Sequence, residues 1–185
     1  MQRLAKFCVA LCILGSCDDS GKQDPKVIAV EHNAAKFNNT GQEKDTKFLV
    51  DAASFFTEQI ELAKLAQENS TDTTIRVTGK AIEEDYRQLY SMLKDLCGKK
   101  NISIPAEPQK KDKKENKILS YEIADDFDKR FLERTIRDHR EAITAQEKQQ
   151  PSGDNEINQF REMSLARIRK NLDFILFRHY GRTGH

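Results

Sequence analysis

Ile75, Ile82, Leu89 and Leu96 stand seven residues apart, and Gly79, Tyr86 and Leu93 fill the companion row between them. Rows spaced by three and four lie on one face of an α-helix, whereas a half-buried strand needs alternation at every second residue. A stretch just before it, Lys47 to Asn69, contains neither Pro nor Gly. It spreads Phe48, Leu49, Ala52, Ala53, Phe55, Phe56, Ile60, Leu62, Ala63 and Ala66 over a broad face. That width suits a bundle interior rather than a two-stranded seam. Ser70-Thr71-Asp72 separates the two helices as break and N-cap in one. Gly98 and Pro105 mark the end of the second.

A third helix is expected from Asp125-Asp126, whose carboxylates favour the positive end of a helix. Its face carries Phe127, Phe131, Leu132, Thr135, Ile136, Ala142 and Ile143, and Pro151-Ser152-Gly153 stops it. Asp154 starts a fourth, with Ile157, Phe160, Leu165, Ile168, Leu172, Ile175 and Leu176. Between helices two and three, over residues 101–124, the run from Lys110 to Glu115 reads as a solvated loop. Four long amphipathic helices with little strand signal give an all-α chain, an up-and-down four-helix bundle over residues 47–180, with a short tail at 181–185.

The amino end has a different character. Arg3 and Lys6 precede the apolar stretch Phe7 to Leu14, and Leu14-Gly15-Ser16-Cys17 closes it with small residues before a cysteine. A positive start, a short apolar core and small residues form a secretory signal. The cysteine at the cut is similar to a bacterial lipobox, which makes residues 1–16 a signal peptide and Cys17 the lipidated first residue of the exported chain. Several acyl chains give stable anchoring. The expected location is the cell envelope, lipid-anchored and facing the periplasm or the cell surface. The uncharged run from Phe7 to Ser16 is too short for a bilayer span, which needs about 20 residues. Residues 17–46 read as a polar tether. Within it, Val27, Val30, Ala34 and Phe37 recur at helical spacing and suggest a short helix over 26–37.

Charge and cysteines narrow the partners. The chain has 31 basic and 30 acidic residues; loss of Arg3 and Lys6 with the signal leaves 29 against 30. No basic footprint for nucleic acid remains, so the expected partners are the membrane, through the lipid, and an envelope protein. Cys8 and Cys12 leave with the signal, Cys17 is acylated, and Cys97 has no mate, so no disulfide framework supports the fold.

Four polar side chains interrupt the apolar rows. Gln59 lies between Phe55-Phe56 and Leu62-Ala63, Tyr86 between Ile82 and Leu89, His139 between Thr135-Ile136 and Ala142-Ile143, and Asn171 between Ile168 and Ile175. Each shares a face with its apolar neighbours. Asp85 and Asp138 directly precede Tyr86 and His139, at the margin of that face.

Lys47 to Leu176 resembles the DUF4142 domain, an exported ferritin-like helical bundle of bacterial envelopes. The resemblance is carried by Glu61-Leu62-Ala63-Lys64-Leu65-Ala66, Ile102-Ser103-Ile104-Pro105, Phe127-Asp128-Lys129-Arg130-Phe131 and Asp138-His139, with Lys36-Phe37 as lead-in. It implies a ferritin-like bundle. Members often carry a Glu where this chain has Gln59, a second Asp-His pair where it has Asp85-Tyr86, and a His near Asn171. A Glu and several His converging inside a bundle would form a metal site. Here His139 and Asp138 remain, and Glu58 and Glu61 face other directions. A closed zinc site takes four N, S or O donors. The residues therefore favour a buried, hydrogen-bonded polar layer of Gln59, Tyr86, His139 and Asn171 and no cofactor. The alternative is a transition metal ion held at a reduced site of Asp85, Asp138 and His139.

Other chemistry finds no motif: no Gly-rich phosphate loop, no His-Glu-x-x-His, no paired CxxC and no nucleophile elbow. Cys97 reads as a small core residue. Arg161, Arg167, Arg169, Lys170 and Arg178 read as a solvated basic face of the last helix. The sequence thus points to a non-enzymatic envelope lipoprotein, a helical module that binds a partner or supports the envelope.

Overall fold

The computed structural model describes residues 22–183. The signal over 1–16, Cys17, and the last two tail residues, Gly184 and His185, lie outside the described residues. Six helices and no strand occur among the described residues: α1 (Pro25–Phe37), α2 (Glu43–Asn69), α3 (Thr73–Lys99), α4 (Lys110–Leu119), α5 (Ala124–Glu147) and α6 (Asn155–Thr183).

Two of the four long helices, α3 and α6, begin where a short acidic side chain holds free backbone N–H groups. Asp72 accepts from the Thr74 N–H at 2.6 Å and caps α3. Asp154 accepts from the N–H groups of Glu156 and Ile157 at 2.9 and 3.2 Å and starts α6. Asp125 and Asp126 fall in the first turn of α5, after an Ile123 cap, rather than at the cap itself. α3 ends between Gly98 and Pro105, as expected. Gly98 lies inside the helix, and the chain turns at Asn101, whose φ of 55° is left-handed. The Ile102 N–H reaches the Cys97 carbonyl at 2.9 Å and the Asn101 N–H reaches the Gly98 carbonyl at 3.3 Å. This is a Schellman closure with Asn in the position Gly usually takes, and Ile102 buried behind it.

Packing joins the four long helices in a closed ring: α2 lies against α3 and α5, and α6 lies against α3 and α5. Inside it the expected rows are buried, among them Ile75, Ile82, Leu89, Leu93 and Leu96 of α3, Phe127, Phe131 and Leu132 of α5, and Ile157, Phe160, Ile168 and Ile175 of α6. Each such side chain contributes roughly 1.5–3 kcal/mol when withdrawn from water.

The order of directions corrects the up-and-down expectation. Lys100, at the end of α3, pairs with Asp154 and Glu156 at the start of α6. Ser152, after α5, donates to Asp45 at the start of α2 at 2.7 Å. Both α3 and α5 therefore run toward the end where α2 and α6 begin, and they are parallel. The chain achieves this because residues 101–124 carry it back along the whole bundle. Part of that crossover is α4, so the solvated loop expected at 110–115 is a helix. Its Asp112, Asn116 and Leu119 are buried at spacings of four and three.

The tether expected over 17–46 is also shortened by structure. α1 packs on α2, and its buried Asn33 exchanges two 2.8 Å hydrogen bonds with the backbone of Ser103. Lys26 pairs with Asp51 at 2.6 Å.

At Gly79, α3 lies close against the backbone of α2. A Cβ there would lie 2.7 Å from the Ala63 carbonyl oxygen and 3.0 Å from the Ala66 Cβ, while one at Gly98 would meet nothing within 4 Å. Both Gly→Ala changes gain up to about 1 kcal/mol of helix propensity. At Gly79 that gain is outweighed by overpacking against backbone, a cost of about 1–3 kcal/mol. Urea unfolding is expected to show Gly79→Ala less stable than the wild type and Gly98→Ala more stable.

Candidate functional site

The four interior polar residues are all buried, with Gln59 1 %, Tyr86 0 %, His139 0 % and Asn171 6 % exposed. They do not form one continuous network. The Tyr86 hydroxyl lies 2.7 Å from His139 Nε2, and His139 Nδ1 lies 2.7 Å from the Thr135 carbonyl oxygen. A carbonyl can only accept, so Nδ1 carries the proton; Nε2 then offers a lone pair, and the Tyr86 hydroxyl donates to it. The imidazole is neutral in this arrangement. Burial pushes His139 down to about 4, with the bond to Thr135 opposing. Burial likewise pushes the Tyr86 phenol up. The Asn171 amide flanks that hydroxyl, yet its Nδ2 completes no hydrogen bond. Gln59 turns the other way: its Nε2 points at Asp138 Oδ2, 3.5 Å away, and its Oε1 has no partner.

Aromatic rings surround the pair. Phe56 stacks on Tyr86 at 5.6 Å between centroids, and Phe55 stands edge-on to both Tyr86 and His139 at 5.4 Å. Phe55 also lines a cleft of about 530 Å³ between α2, α4 and α5. Phe55 thus touches both the cleft and the Tyr86–His139 pair.

The carboxylates named in the metal alternative are engaged elsewhere. Asp85 pairs with Arg167 at 2.5 Å across α3 and α6. Asp138 accepts from Arg137 at 2.8 and 3.0 Å. Both nitrogens of His139 are occupied as above. No group of three or more His, Cys, Asp or Glu side chains able to hold a metal ion occurs among the described residues.

A second polar cluster escapes the reading of the apolar rows. Arg134 of α5 is buried and donates to Glu58 Oε1 of α2 and to Asn116 Oδ1 of α4, both at 2.8 Å. Its Nε lies 3.6 Å from Glu115 and from Asp138. Glu58, expected to face another direction from the interior polar residues, meets Arg134. Its carboxyl is pushed up to about 7 by burial, with Asp112 and Asp138 adding to the shift and Arg134 opposing it. Burial raises Asp112 and Asp138 as well. The available signal was the pair Arg134 and Asp138 continuing the Phe127–Phe131 row at spacings of three and four.

The remaining candidates are quickly placed. Cys97 is a buried free thiol, pushed up to about 12 by burial, and therefore unreactive at neutral pH. Several basic residues of α6 also have partners: Arg169 pairs with Glu147 at 2.6 Å, Arg161 donates to the Gln150 carbonyl at 2.8 Å, and Arg178 lies over the Phe174 ring at 5.1 Å.

The family described as "Domain of unknown function (DUF4142)" matches residues 30–174, from within α1 to within α6. The chain belongs to this family. A protein of Aquifex aeolicus (strain VF5), described as "Uncharacterized protein", is 31 % identical over 134 residues, which cover 65 % of this chain and 41 % of the relative. The chain thus spans less than half the length of that relative. No solved structure matches it significantly.

Two outcomes follow from the Tyr86–His139 bond. Tyr86→Phe leaves Nε2 buried and unpaired and is expected to cost about 1–3 kcal/mol in chemical unfolding. The second is a pH effect. His139 stays neutral in the folded protein to about pH 4, while an unfolded histidine takes a proton near 6.5. Its contribution is complete above about 6.5 and is lost as pH falls toward 4. Relative to His139→Gln, the wild type is expected to lose roughly 1.4 kcal/mol per pH unit across that window, read as the difference between unfolding curves of the two proteins.

Proposed function

We propose that this protein is a cell-envelope lipoprotein, anchored through acylated Cys17, whose domain is a ferritin-like four-helix bundle acting as a binding or structural module and not as an enzyme. The bundle assignment is supported by the ring of α2, α3, α6 and α5 and by the single long crossover through α4, the connectivity that separates ferritin-like bundles from simple up-and-down ones. The export and anchoring assignment is supported by Leu14-Gly15-Ser16-Cys17 behind a charged and apolar leader.

One observation carries the structural role of the interior. The residues positioned like ligands already satisfy protein partners: His139 through both ring nitrogens, Asp85 through Arg167, and Asp138 through Arg137. An ion would have to displace each of these bonds. The polar layer instead fixes the register of helices around it.

Two measurements on the full chain expressed in a bacterial host test this reading. The wild type is expected in the detergent phase of a Triton X-114 partition with acyl mass on Cys17, and Cys17→Ser in the aqueous phase; equal partitioning of both removes the anchor. After dialysis, metal content is expected to be far below one ion per chain and unchanged in His139→Ala, which melts at a lower temperature. A near-stoichiometric transition metal lost in that variant would replace the structural reading with the metal-binding one.

A further inference from the structure

α4 is held to the bundle in an unusual way for a helix of ten residues. Leu119 is its buried apolar anchor, Ile118 is 52 % exposed, and its other two buried residues are Asp112 and Asn116. The attachment is therefore largely polar and centres on Arg134, which reaches α2 through Glu58 and α4 through Asn116 with bonds of 2.8 Å each.

The charges around that guanidinium do not balance. From α2, Glu58 faces it; from α5, Asp138; from α4, Glu115 and, beyond Asn116, Asp112. Three of these side chains are largely buried: Glu58 at 15 %, Asp138 at 8 % and Asp112 at 3 % exposed. Arg134 is the buried cation among them, at 9 %. Arg137 of α5 bonds to Asp138 and approaches Glu115 at 4.0 Å but is 56 % exposed, and Lys111 of α4 lies 4.0 Å from Asp112 and is 70 % exposed. Farther along the same cleft, Asp51 of α2 is engaged by Lys26 of α1, and Glu141 lines the α5 wall. With every carboxylate ionised, Asp138 is met by the half-exposed Arg137, and the largely buried Glu58 and Asp112 share one buried cation, Arg134. A buried charge without a counter-charge is costly, and the usual remedy is to take up a proton.

We propose that α4 is a proton-controlled latch over the α2–α5 cleft: it is closed when the carboxylates around Arg134 share protons, and it lifts when all of them are ionised. Lifting exposes these carboxylates to water, which accommodates their charge. It also uncovers the seat of Leu119 and widens the cleft that Phe55 lines. The shift of Glu58 to about 7 and the upward shifts of Asp112 and Asp138 have the sign this requires. A carboxyl whose closed-state value lies above its open-state value stabilises the closed form at low pH and loses that contribution as pH rises through the closed-state value.

Hydrogen exchange on the full chain tests it. Protection factors of the amides in α4 and in α3, corrected for the intrinsic effect of pH on exchange, are compared at pH 5.5 and pH 8. The expected result is a loss of protection of at least about tenfold in α4 with α3 unchanged, since each pH unit of titration is worth a factor of ten in the equilibrium. In Glu58→Gln with Asp112→Asn the α4 protection is expected to be nearly independent of pH, and Glu58→Gln alone to show an intermediate dependence. The proposal is overturned if α4 in the wild type keeps its protection at pH 8, if α3 loses protection in step with it, or if the wild-type pH dependence persists in the charge-neutral variants. The wild-type comparison decides the matter even where the double variant fails to fold.

Discussion

The hydrogen bond from Tyr86 to His139 crosses the centre of the molecule. It joins α3 to α5, two helices that stand diagonally in the ring and share no broad interface. Their apolar contacts could be satisfied in more than one register, because hydrophobic packing has no direction. A hydrogen bond does have direction, and losing it inside the core leaves two groups dry and unpaired. The bond of His139 Nδ1 to the Thr135 carbonyl sets the tautomer, the tautomer makes Nε2 an acceptor, and the acceptor fixes where Tyr86 must be. The other diagonal is filled differently, by Phe160 of α6 against Phe48 and Phe56 of α2, so one direction across the core is polar and specific and the other is aromatic.

The crossover is the second organising feature. Making α3 and α5 parallel requires the chain to travel the length of the bundle between them, and α4 occupies that path. A helix so polar cannot be held by apolar burial alone. Arg134, itself on α5, supplies the attachment by bonding to two other helices at once, through Glu58 of α2 and Asn116 of α4. The carboxylates that meet this guanidinium are themselves buried, and that burial, ahead of their mutual repulsion, pushes Glu58, Asp112 and Asp138 upward.

The sequence read the long helices well because their rows are long and apolar: Ile75, Ile82, Leu89 and Leu96 are all buried, and the interruptions at Gln59, Tyr86, His139 and Asn171 all fall inside. It read α4 as loop because periodicity reasoning follows apolar residues, and two of the three buried side chains of α4 are Asp112 and Asn116. It gave Glu58 no partner for the same reason, since the residue that meets it, Arg134, is 76 residues away. Helix direction was beyond such reasoning altogether: nothing local to α5 distinguishes a parallel neighbour from an antiparallel one. The end of α3 falls between Gly98 and Pro105, and the residue that turns the chain there is Asn101.

Asp24 uses its two carboxylate oxygens for two different helices. Oδ1 accepts from the Lys26 N–H, capping α1, and Oδ2 accepts from the Lys110 N–H at the first residue of α4, both at 2.9 Å. Asp24 thus ties the first turn of α1 to the first turn of α4, so that two helix starts far apart in sequence are held by one carboxylate.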